Sequence, residues 1–387
     1  MRQLGIAMIG HAFMGRVHAH AWRTVAHAFD LPVRPVPRVL AGRRADAAAR
    51  AAERLGWPES TADWRSVLER DDVQVVDICT PGDSHAEIAI AALAAGKHVL
   101  CEKPLANSVA EAEAMADAAR LARTRGTVAM AGFTYRRVPA LALARRLIAE
   151  GRLGRVRQVR AHYLQDWLAD ADAPFSWRLR REHAGSGALG DIGSHIIDLA
   201  QHLLDDAIDG VSAQTTTFVT KRPAPEGGLG EVDVDDAAVF TARFAGGALG
   251  VFEASRFATG RKNALRIEID GSHGALAFDL ESMNELSFYD ATEDGATAGF
   301  RRILATEPGH PYLEGWWPPG HGLGYDHAFA HQARDLITAI AAGTDPEPGF
   351  DDGLRVQRVL TAVEASAAGG SRYTPVARRA ADEEDHR

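Results

Sequence analysis

LGIAMIGHAFMGRVHAH, residues 4–20, is the stretch that decides the fold. An apolar run from Leu4 to Ile9 ends at Gly10, and Gly15 opens a predicted helix over 16–29. Strand, turn and helix in this order form the first half of a dinucleotide-binding unit, in which backbone amides and the positive end of the helix dipole face a pyrophosphate. The cofactor contacts expected in this turn are Gly10, Ala12, Phe13 and Met14.

This turn does not settle the function by itself. Ala12 stands where the pattern G-x-G-x-x-G has its second glycine. A buried strand that ends in glycine is also common in proteins that bind no nucleotide. The rest of the chain must therefore separate the two interpretations.

Composition narrows the function classes. A chain of 387 residues predicts two domains, and a net charge of −9 argues against nucleic acid or an anionic membrane as the main partner. No apolar run approaches the roughly 20 residues that cross a bilayer, and the N-terminus lacks a signal-peptide pattern. The only cysteines are Cys79 and Cys101. These features predict a cytoplasmic protein without a disulfide framework.

Strands and helices alternate through the first 133 residues. Predicted strands at 36–41, 73–81, 98–102 and 127–133 are separated by predicted helices at 46–55, 84–95 and 108–125. This alternation predicts a doubly wound parallel sheet of Rossmann type, with its ligand at the carboxyl ends of the strands. We expect residues 1–133 to form the dinucleotide-binding domain.

The pattern changes after residue 133. Strands are predicted at 156–167, 211–219, 236–244, 248–257, 265–270 and 275–279, interrupted by one helix at 191–204 and followed by helices at 326–342 and 354–368. Glycine-containing turns between neighbouring strands are typical of hairpins. Residues 134–387 are therefore predicted to form an α/β domain with a large, mostly antiparallel open sheet that binds substrate and supports oligomerisation. The tail from Ala380 is predicted to fray.

The ends of the second and third strands predict further cofactor contacts. Gly42, followed by Arg43 and Arg44, stands where NAD-binding proteins carry an acidic residue, which slightly favours NADP over NAD. The alternative is that the arginines are only a solvated helix start. Thr80, Pro81 and His85 follow the third strand and would border the cofactor, unless residues 81–84 form only a turn and a helix cap.

Two motifs carry the predicted chemistry. CEKPLA, residues 101–106, places Glu102 and Lys103 at the carboxyl end of a strand, where both would contact the cofactor. Asp191 and His195 are four residues apart in a predicted helix, so a carboxylate and an imidazole share one face as an acid–base pair. The alternatives are an inert exposed lysine, and a helix-capping Asp191 with a core-facing His195.

Together these groups predict a site in the cleft between the halves. His195, oriented by Asp191, would take the proton of a secondary hydroxyl, while Lys103 hydrogen-bonds the same oxygen and stabilises its charge. The residues do not decide whether Lys103 or His195 is the formal base.

The chain resembles the Gfo/Idh/MocA family of oxidoreductases. The motifs that carry the resemblance are AMIGHAFMG (7–15), VVDICTPGDSH (75–85), GKHVLCEKPLA (96–106), GFTYRRVPA (132–140) and SGALGDIGSH (186–195). The resemblance implies a Rossmann domain followed by an α/β domain, NAD(P)-linked oxidation or reduction of a sugar or cyclitol, and catalytic roles for Lys103, Asp191 and His195. Ala12 and the pair Gly82–Asp83 depart from the family pattern.

Three further segments resemble the branch that contains levoglucosan dehydrogenase and inositol dehydrogenase-like enzymes: 163–170, 175–191 and 315–327. Their hydrogen-bonding and flat apolar side chains suit a polyhydroxylated ring, although loop aromatics often only cover a core. The expected substrate contacts are Lys103, Tyr135, Arg136, Gln165, Trp167, Arg178, Asp191, His195, Trp317 and His321.

No metal is expected, because the histidines near residues 18 and 321 form no ligand set of recognisable spacing. The alternatives to a dehydrogenase are a glycosidase of the same fold that oxidises a ring carbon transiently, and a non-catalytic nucleotide-binding sensor. A homodimer or homotetramer through the second sheet is expected. The sugar, the carbon and the direction of the reaction are not decided by the sequence.

Overall fold

The computed structural model describes residues 2–377, so the predicted fraying from Ala380 lies outside the described residues. The chain divides into two compact units, one of residues 1–142 and 304–354, the other of residues 143–303 and 355–387. The first unit thus includes a segment, 304–354, that lies far along the sequence from the rest.

The first unit is built on a six-stranded parallel sheet in the order β3-β2-β1-β4-β5-β6. Its strands are β1 (Gln3–Ile9), β2 (Arg34–Ala41), β3 (Glu59–Thr61), β4 (Val75–Ile78), β5 (His98–Cys101) and β6 (Ala129–Ala131). All four residues of β4 are buried, as in parallel sheets covered on both faces. The order reverses between β1 and β4, which places a ligand crevice at their carboxyl ends.

Helices follow most of these strands. They are α1 (Phe13–Ala28), α2 (Ala45–Leu55), α3 (Arg65–Leu68), α4 (His85–Ala94) and α5 (Val109–Arg123). The segment 304–354 adds α9 (Tyr325–Ala342), which packs against α1 through the rings of Phe329 and His18, 5.4 Å apart. The predicted Rossmann-type sheet is confirmed.

The second unit carries a nine-stranded sheet in the order β16-β15-β14-β13-β7-β12-β11-β8-β17. Its members are β7 (Val156–Leu164), β8 (Ile208–Thr216), β11 (Ala237–Phe244), β12 (Leu249–Ser255), β13 (Ala264–Gly271), β14 (Gly274–Asp279), β15 (Glu285–Asp290), β16 (Arg301–Leu304) and β17 (Thr374–Pro375). β7 and β12 run parallel, whereas β7–β13, β8–β11 and β11–β12 are antiparallel. The large, mostly antiparallel sheet is therefore confirmed as well.

Burial alternates along the strands of this second sheet. In β11, Ala238, Phe240, Ala242 and Phe244 are buried while the residues between them are exposed or half-buried. The rings of Phe240 and Phe252 stack with centroids 4.8 Å apart. One face of the sheet is thus core, and the other is left open.

The remaining elements are α6 (Pro139–Ala149), α7 (Arg181–Ala184), α8 (Ser194–Leu204), α10 (Phe350–Ala368) and a ribbon of β9 (Lys221–Pro223) with β10 (Leu229–Glu231). The structure of this half differs from the prediction in detail. The predicted helix over 191–204 begins with a π-helical turn at Leu189–Gly193. The short strands β9 and β10 were not predicted, and neither were β15 and β16.

None of the helices formed by residues 2–377 combines the length and apolarity needed to cross a bilayer.

Candidate active site

The turn after β1 is tight at two glycines. Gly10 has φ +102°, and a Cβ there would lie 2.6 Å from the Cys79 carbonyl oxygen. A Cβ on Gly15 would lie 2.3 Å from the Gly10 carbonyl oxygen. Both positions therefore exclude any side chain, and the helix start lies close against the strand.

The first turn of α1 is open to an anion. Its capping position, Ala12, makes no side-chain cap, and no acidic residue lies in the first turn. The first amide groups of a helix have no intrahelical acceptor, so this end can bind phosphate oxygens. Phe13 is half-exposed with its ring 6.4 Å from that of Tyr325, and Met14 follows it. These residues fit a dinucleotide.

The end of β2 carries a glycine and two arginines. A Cβ on Gly42 would lie 2.6 Å from the His11 ring, so the imidazole packs directly on the glycine backbone. Arg43 and Arg44 follow and are exposed. Two exposed guanidinium groups beside a position without a carboxylate suit a ribose or a ribose phosphate.

The loops after β4 and β5 are tied together by His85. Its Nε2 lies 2.9 Å from the Thr80 carbonyl oxygen, and its Nδ1 lies 3.0 Å from the Pro104 carbonyl oxygen. The ring is buried, and Ser84 Oγ donates to Thr80 Oγ1 at 2.8 Å. Thr80, Pro81 and Lys103 therefore lie on loops that one imidazole holds together.

A buried charged cluster lies directly behind Lys103. His18 Nδ1 lies 2.9 and 3.0 Å from the two Asp77 oxygens, and His18 Nε2 lies 2.9 Å from Glu102 Oε1. Trp22 Nε1 donates to Asp77 Oδ2 at 2.7 Å. The second Glu102 oxygen, Oε2, accepts the Lys103 backbone N–H at 3.2 Å. Glu102, predicted to contact the cofactor, thus has both oxygens in protein hydrogen bonds.

The charge of His18 follows from this arrangement. Burial by itself would lower the pKa of His18, but the Asp77 carboxylate raises it well above the ordinary value of 6.5. Both ring nitrogens face carboxylate oxygens, and only the imidazolium donates from both. His18 is therefore a cation between two anions.

His18, Asp77 and Cys79 also form a group whose ligand atoms lie within 4.8 Å of one another, close enough for a metal. Burial raises the pKa of the Cys79 thiol to about 12. Metal binding needs a thiolate and a neutral imidazole, whereas here the thiol is protonated and the imidazole is charged. The expectation of no metal stays a prediction.

In the second unit, Asp191 and His195 lie where a π-helical turn passes into α8. Asp191 belongs to the turn, its backbone N–H donates to the Gly187 carbonyl oxygen at 2.9 Å, and Gly193 caps α8. Asp191 is thus not the helix cap that the alternative interpretation required. His195 is buried, with its ring centroid 5.8 Å from that of Tyr163. π-helical turns inside helices are frequent at functional sites.

Asp235 holds this π-helical turn and was not predicted from the sequence. Its Oδ1 accepts the Gly187 N–H at 2.6 Å, and its Oδ2 accepts the Leu189 N–H at 2.8 Å. The buried Arg256 donates to the Asp235 carbonyl oxygen at 3.0 Å. Since no motif surrounds Asp235, only the fold reveals that it fixes the turn that carries Asp191.

Several expected substrate residues form one hydrogen-bonded group in the second unit. Gln165 Nε2 donates to Asn263 Oδ1 at 2.8 Å, and Trp167 Nε1 donates to Gln165 Oε1 at 3.0 Å. The Tyr163 hydroxyl also donates to Asn263, at 2.7 Å. Asn263 was not predicted, because it lies about 100 residues from its partners in the sequence. The group joins amide, hydroxyl and indole side chains to the ring beside His195.

Arg178 of the second unit lies over the Trp177 ring, 4.6 Å from its centroid. The other expected substrate residues belong to the first unit. The Tyr135 ring lies 6.3 Å from that of Tyr325, and Arg136 pairs with Asp352 at 3.2 Å. Trp317 and His321 are exposed in the segment 304–354. The structure thus describes two sets of candidate residues, one in each unit.

The chain matches two family models. Residues 4–133 match the model described as oxidoreductase family, NAD-binding Rossmann fold, and residues 141–277 match the GFO/IDH/MocA C-terminal domain.

Among curated relatives, levoglucosan dehydrogenase of Pseudarthrobacter phenanthrenivorans is 43% identical over 383 residues, covering 95% of this chain and 97% of the relative. Inositol 2-dehydrogenase of Rhizobium meliloti is 28% identical and covers 93% of this chain and 96% of its own. A levoglucosan dehydrogenase structure in complex with NADH and L-sorbose superposes with a TM-score of 0.94 at 44% identity, covering 98% of this chain and all of that one. An oxidoreductase domain protein from Kribbella flavida reaches 0.96 at 66% identity, with the same coverage.

Proposed function

Because the chain belongs to the Gfo/Idh/MocA family of oxidoreductases, we propose that it oxidises a secondary ring hydroxyl of an anhydrosugar to a ketone, with NAD as hydride acceptor. The observation that carries the proposal is the 43% identity to levoglucosan dehydrogenase over almost the whole length of both chains. Free sugars and cyclitols are the neighbouring substrate classes, since inositol 2-dehydrogenase is a more distant relative.

Bound NAD would supply only the acceptance of hydride. The residues that would hold it are those of the glycine turn and of the ends of β2, β4 and β5. Gly10 has φ +102° and Gly15 lies against the Gly10 carbonyl, so the turn is tight, and α1 has no side-chain cap, so its first amides can bind a dinucleotide. The related levoglucosan dehydrogenase structure is a complex with NADH, which supports NAD as the cofactor. The preference for NADP predicted from Arg43 and Arg44 is the rival within this proposal.

The proton chemistry is assigned to three residues. Lys103 hydrogen-bonds the reacting hydroxyl through its ammonium and stabilises negative charge on that oxygen. His195 accepts the hydroxyl proton, and Asp191 stabilises the imidazolium that results. The Asn263 group, with Gln165 and Trp167, would bind the remaining ring hydroxyls and one flat face of the sugar.

The experiment is a cofactor-reduction assay with levoglucosan, other anhydrosugars, monosaccharides and cyclitols, each with NAD and with NADP. We expect reduced nicotinamide to accumulate in proportion to the levoglucosan consumed. A glycosidase of this fold would consume substrate without that accumulation, and a sensor would show no turnover. A higher kcat/KM with NADP than with NAD would instead indicate that Arg43 and Arg44 determine the cofactor preference.

Variants then test the assigned residues. Lys103→Met and His195→Asn are each expected to lower kcat by about 10²- to 10⁴-fold, the usual range for lost acid–base catalysis. Lys221→Met, in the β9–β10 ribbon, is the matched control and should retain wild-type kcat. Wild-type activity in Lys103→Met would overturn the assignment of the lysine.

We also propose a homodimer or homotetramer formed through the open face of the nine-stranded sheet. Val239 on β11 and Leu249 and Val251 on β12 are 50%, 45% and 38% exposed on neighbouring strands. An exposed apolar surface of this kind favours association. Light scattering at micromolar concentration tests it, and a monomer would refute it.

A further inference from the structure

The buried cluster behind Lys103 has no role in the chemistry assigned above. It consists of His18 on α1, Asp77 on β4 and Glu102 after β5. Each of these three elements also carries residues of the proposed cofactor site: the glycine turn precedes His18, Thr80 follows Asp77, and Lys103 follows Glu102. One imidazole therefore connects the three segments that have to be aligned.

We propose that His18 is a positioning residue for Lys103, acting as a buried cation that fixes the Glu102 carboxylate, which in turn holds the Lys103 backbone. The inference rests on the proposed function, because it gives Lys103 a task that requires a fixed position.

The hydrogen bonds support a mechanical link. Glu102 uses Oε1 for His18 Nε2 at 2.9 Å and Oε2 for the Lys103 N–H at 3.2 Å, so its carboxylate cannot turn without breaking one of them. A Cβ on Gly132 would lie 3.0 Å from Glu102 Oε1, which shows how closely this carboxylate is packed. These contacts hold the backbone of Lys103, from which its side chain extends.

The charges explain why a histidine suits the position. Two carboxylates, 0% and 5% exposed at their side chains, are buried on opposite sides of the ring. Removing the charged partner of a buried ion is costly, because the remaining charge is left without compensation. The Cys79 thiol and the Trp22 indole are neutral donors to Asp77, and the Phe329 ring packs against His18. His18 bridges the two carboxylates with a charge.

The expected signature of the cation is spectroscopic. In wild type labelled with ¹⁵N-histidine, one imidazole should keep both nitrogens protonated at pH 8, where an ordinary histidine is neutral. His18→Gln should remove that resonance. This readout needs neither cofactor nor turnover, so it stands even if the substrate assignment fails.

The kinetic test uses the substrate that the wild type turns over. His18→Gln is expected to lower kcat about 10- to 100-fold while KM for the sugar changes less than threefold, because Lys103 is misplaced relative to the reacting oxygen and the remaining contacts persist. His331→Gln is the matched control, another buried histidine of the same unit outside the proposed machinery, and it should keep kcat within twofold. Rates are compared at equal folded fraction, measured by circular dichroism.

Glu102→Gln is the second variant, in case His18→Gln does not fold. An amide has only one oxygen for the two donors that Glu102 serves, so we expect a similar fall in kcat. A neutral His18 at pH 8, or equal losses of kcat in His18→Gln and His331→Gln, would overturn the inference. A wild type without turnover on any tested sugar would instead refute the proposed function and leave the spectroscopic result to decide the cation.

Discussion

His18 and His331 are two buried histidines of the same unit, and their surroundings make the first a cation and leave the second neutral. His18 lies between Asp77 and Glu102. His331 Nε2 accepts the Trp316 indole N–H at 2.7 Å, so its proton lies on Nδ1, which donates to the Arg137 carbonyl oxygen at 2.8 Å. Burial lowers the pKa of His331 to about 3, whereas the Asp77 carboxylate overcomes burial and raises the pKa of His18.

Burial alone therefore does not determine the charge of a histidine. The His331 ring stacks on the Tyr312 ring with centroids 4.6 Å apart, and the Trp316 indole donates to its Nε2, a bond that only the neutral ring can accept. The His18 ring is an ionic link that only a cation can make. One histidine therefore secures packing in the segment 304–354, and the other secures the position of strand ends near the proposed site.

The largest expected effect comes from removing a charge beside His18. Asp77→Asn should lower the free energy of unfolding by about 3–5 kcal/mol, because the imidazolium and the Trp22 indole lose an anionic acceptor. Denaturant unfolding at pH 7 measures it. Asp46→Asn, in an exposed pair with Arg50, is the control and should leave the denaturation midpoint almost unchanged. A loss below about 1 kcal/mol in Asp77→Asn would mean that His18 is neutral and the contrast false.

The second prediction concerns acid and follows from His331. Its folded pKa of about 3 lies below its unfolded value of about 6.5. The stability it contributes is therefore present above pH 6.5 and is lost as the pH falls toward 3. Between pH 6.5 and 4.5 this amounts to about 2 kcal/mol.

His331→Gln isolates this contribution. Glutamine can donate to the Arg137 carbonyl and accept from Trp316, but it has no charge to gain. The variant should lose about 2 kcal/mol less than wild type over that pH interval in denaturant unfolding. Parallel curves for the two proteins would show that His331 does not resist protonation. His18 has the opposite sign, because its raised pKa makes its contribution complete below pH 6.5 and lost as the pH rises through the folded value.

Features with a local sequence signal could be predicted, whereas features that depend on distant residues could not. Gly10 and the apolar strands around it carry local signals, so the Rossmann-type sheet and the cofactor turn were predictable. Lys103 and the pair Asp191–His195 were predicted from motifs, and their catalytic roles stay predictions. By contrast, β15 was missed because its alternation of Glu285 and Ser287 with the buried Leu286 and Phe288 covers only four residues.

The partners in the site were beyond the sequence for a different reason. Asp77 and Glu102 lie 59 and 84 residues beyond His18 in the sequence. Asp235 lies 44 residues beyond Asp191, and no motif surrounds it. A buried carboxylate has no sequence signature until its partners are known, since the same aspartate on a surface would be ordinary. The folded structure is therefore needed to distinguish the charge of His18 from that of His331.

The smallest expected effect tests whether the thiol beside His18 contributes to its charge. Cys79 Sγ lies 3.6 Å from Asp77 Oδ1, and with a pKa of about 12 the thiol is neutral at physiological pH. Cys79→Ala should cost about 1 kcal/mol through lost packing and one weak hydrogen bond, and the doubly protonated imidazole of His18 should remain in the ¹⁵N spectrum. If the cluster binds no zinc, adding zinc to EDTA-treated protein should shift the Tm of wild type and of Cys79→Ala equally. A zinc site that includes Cys79 would instead raise the Tm of wild type alone, because a ligand that binds the folded state stabilises it. A zinc-dependent rise in Tm that is confined to wild type would indicate a metal site formed by His18, Asp77 and Cys79. His18 would then be a neutral, metal-binding histidine, and its contrast in charge with His331 would be wrong.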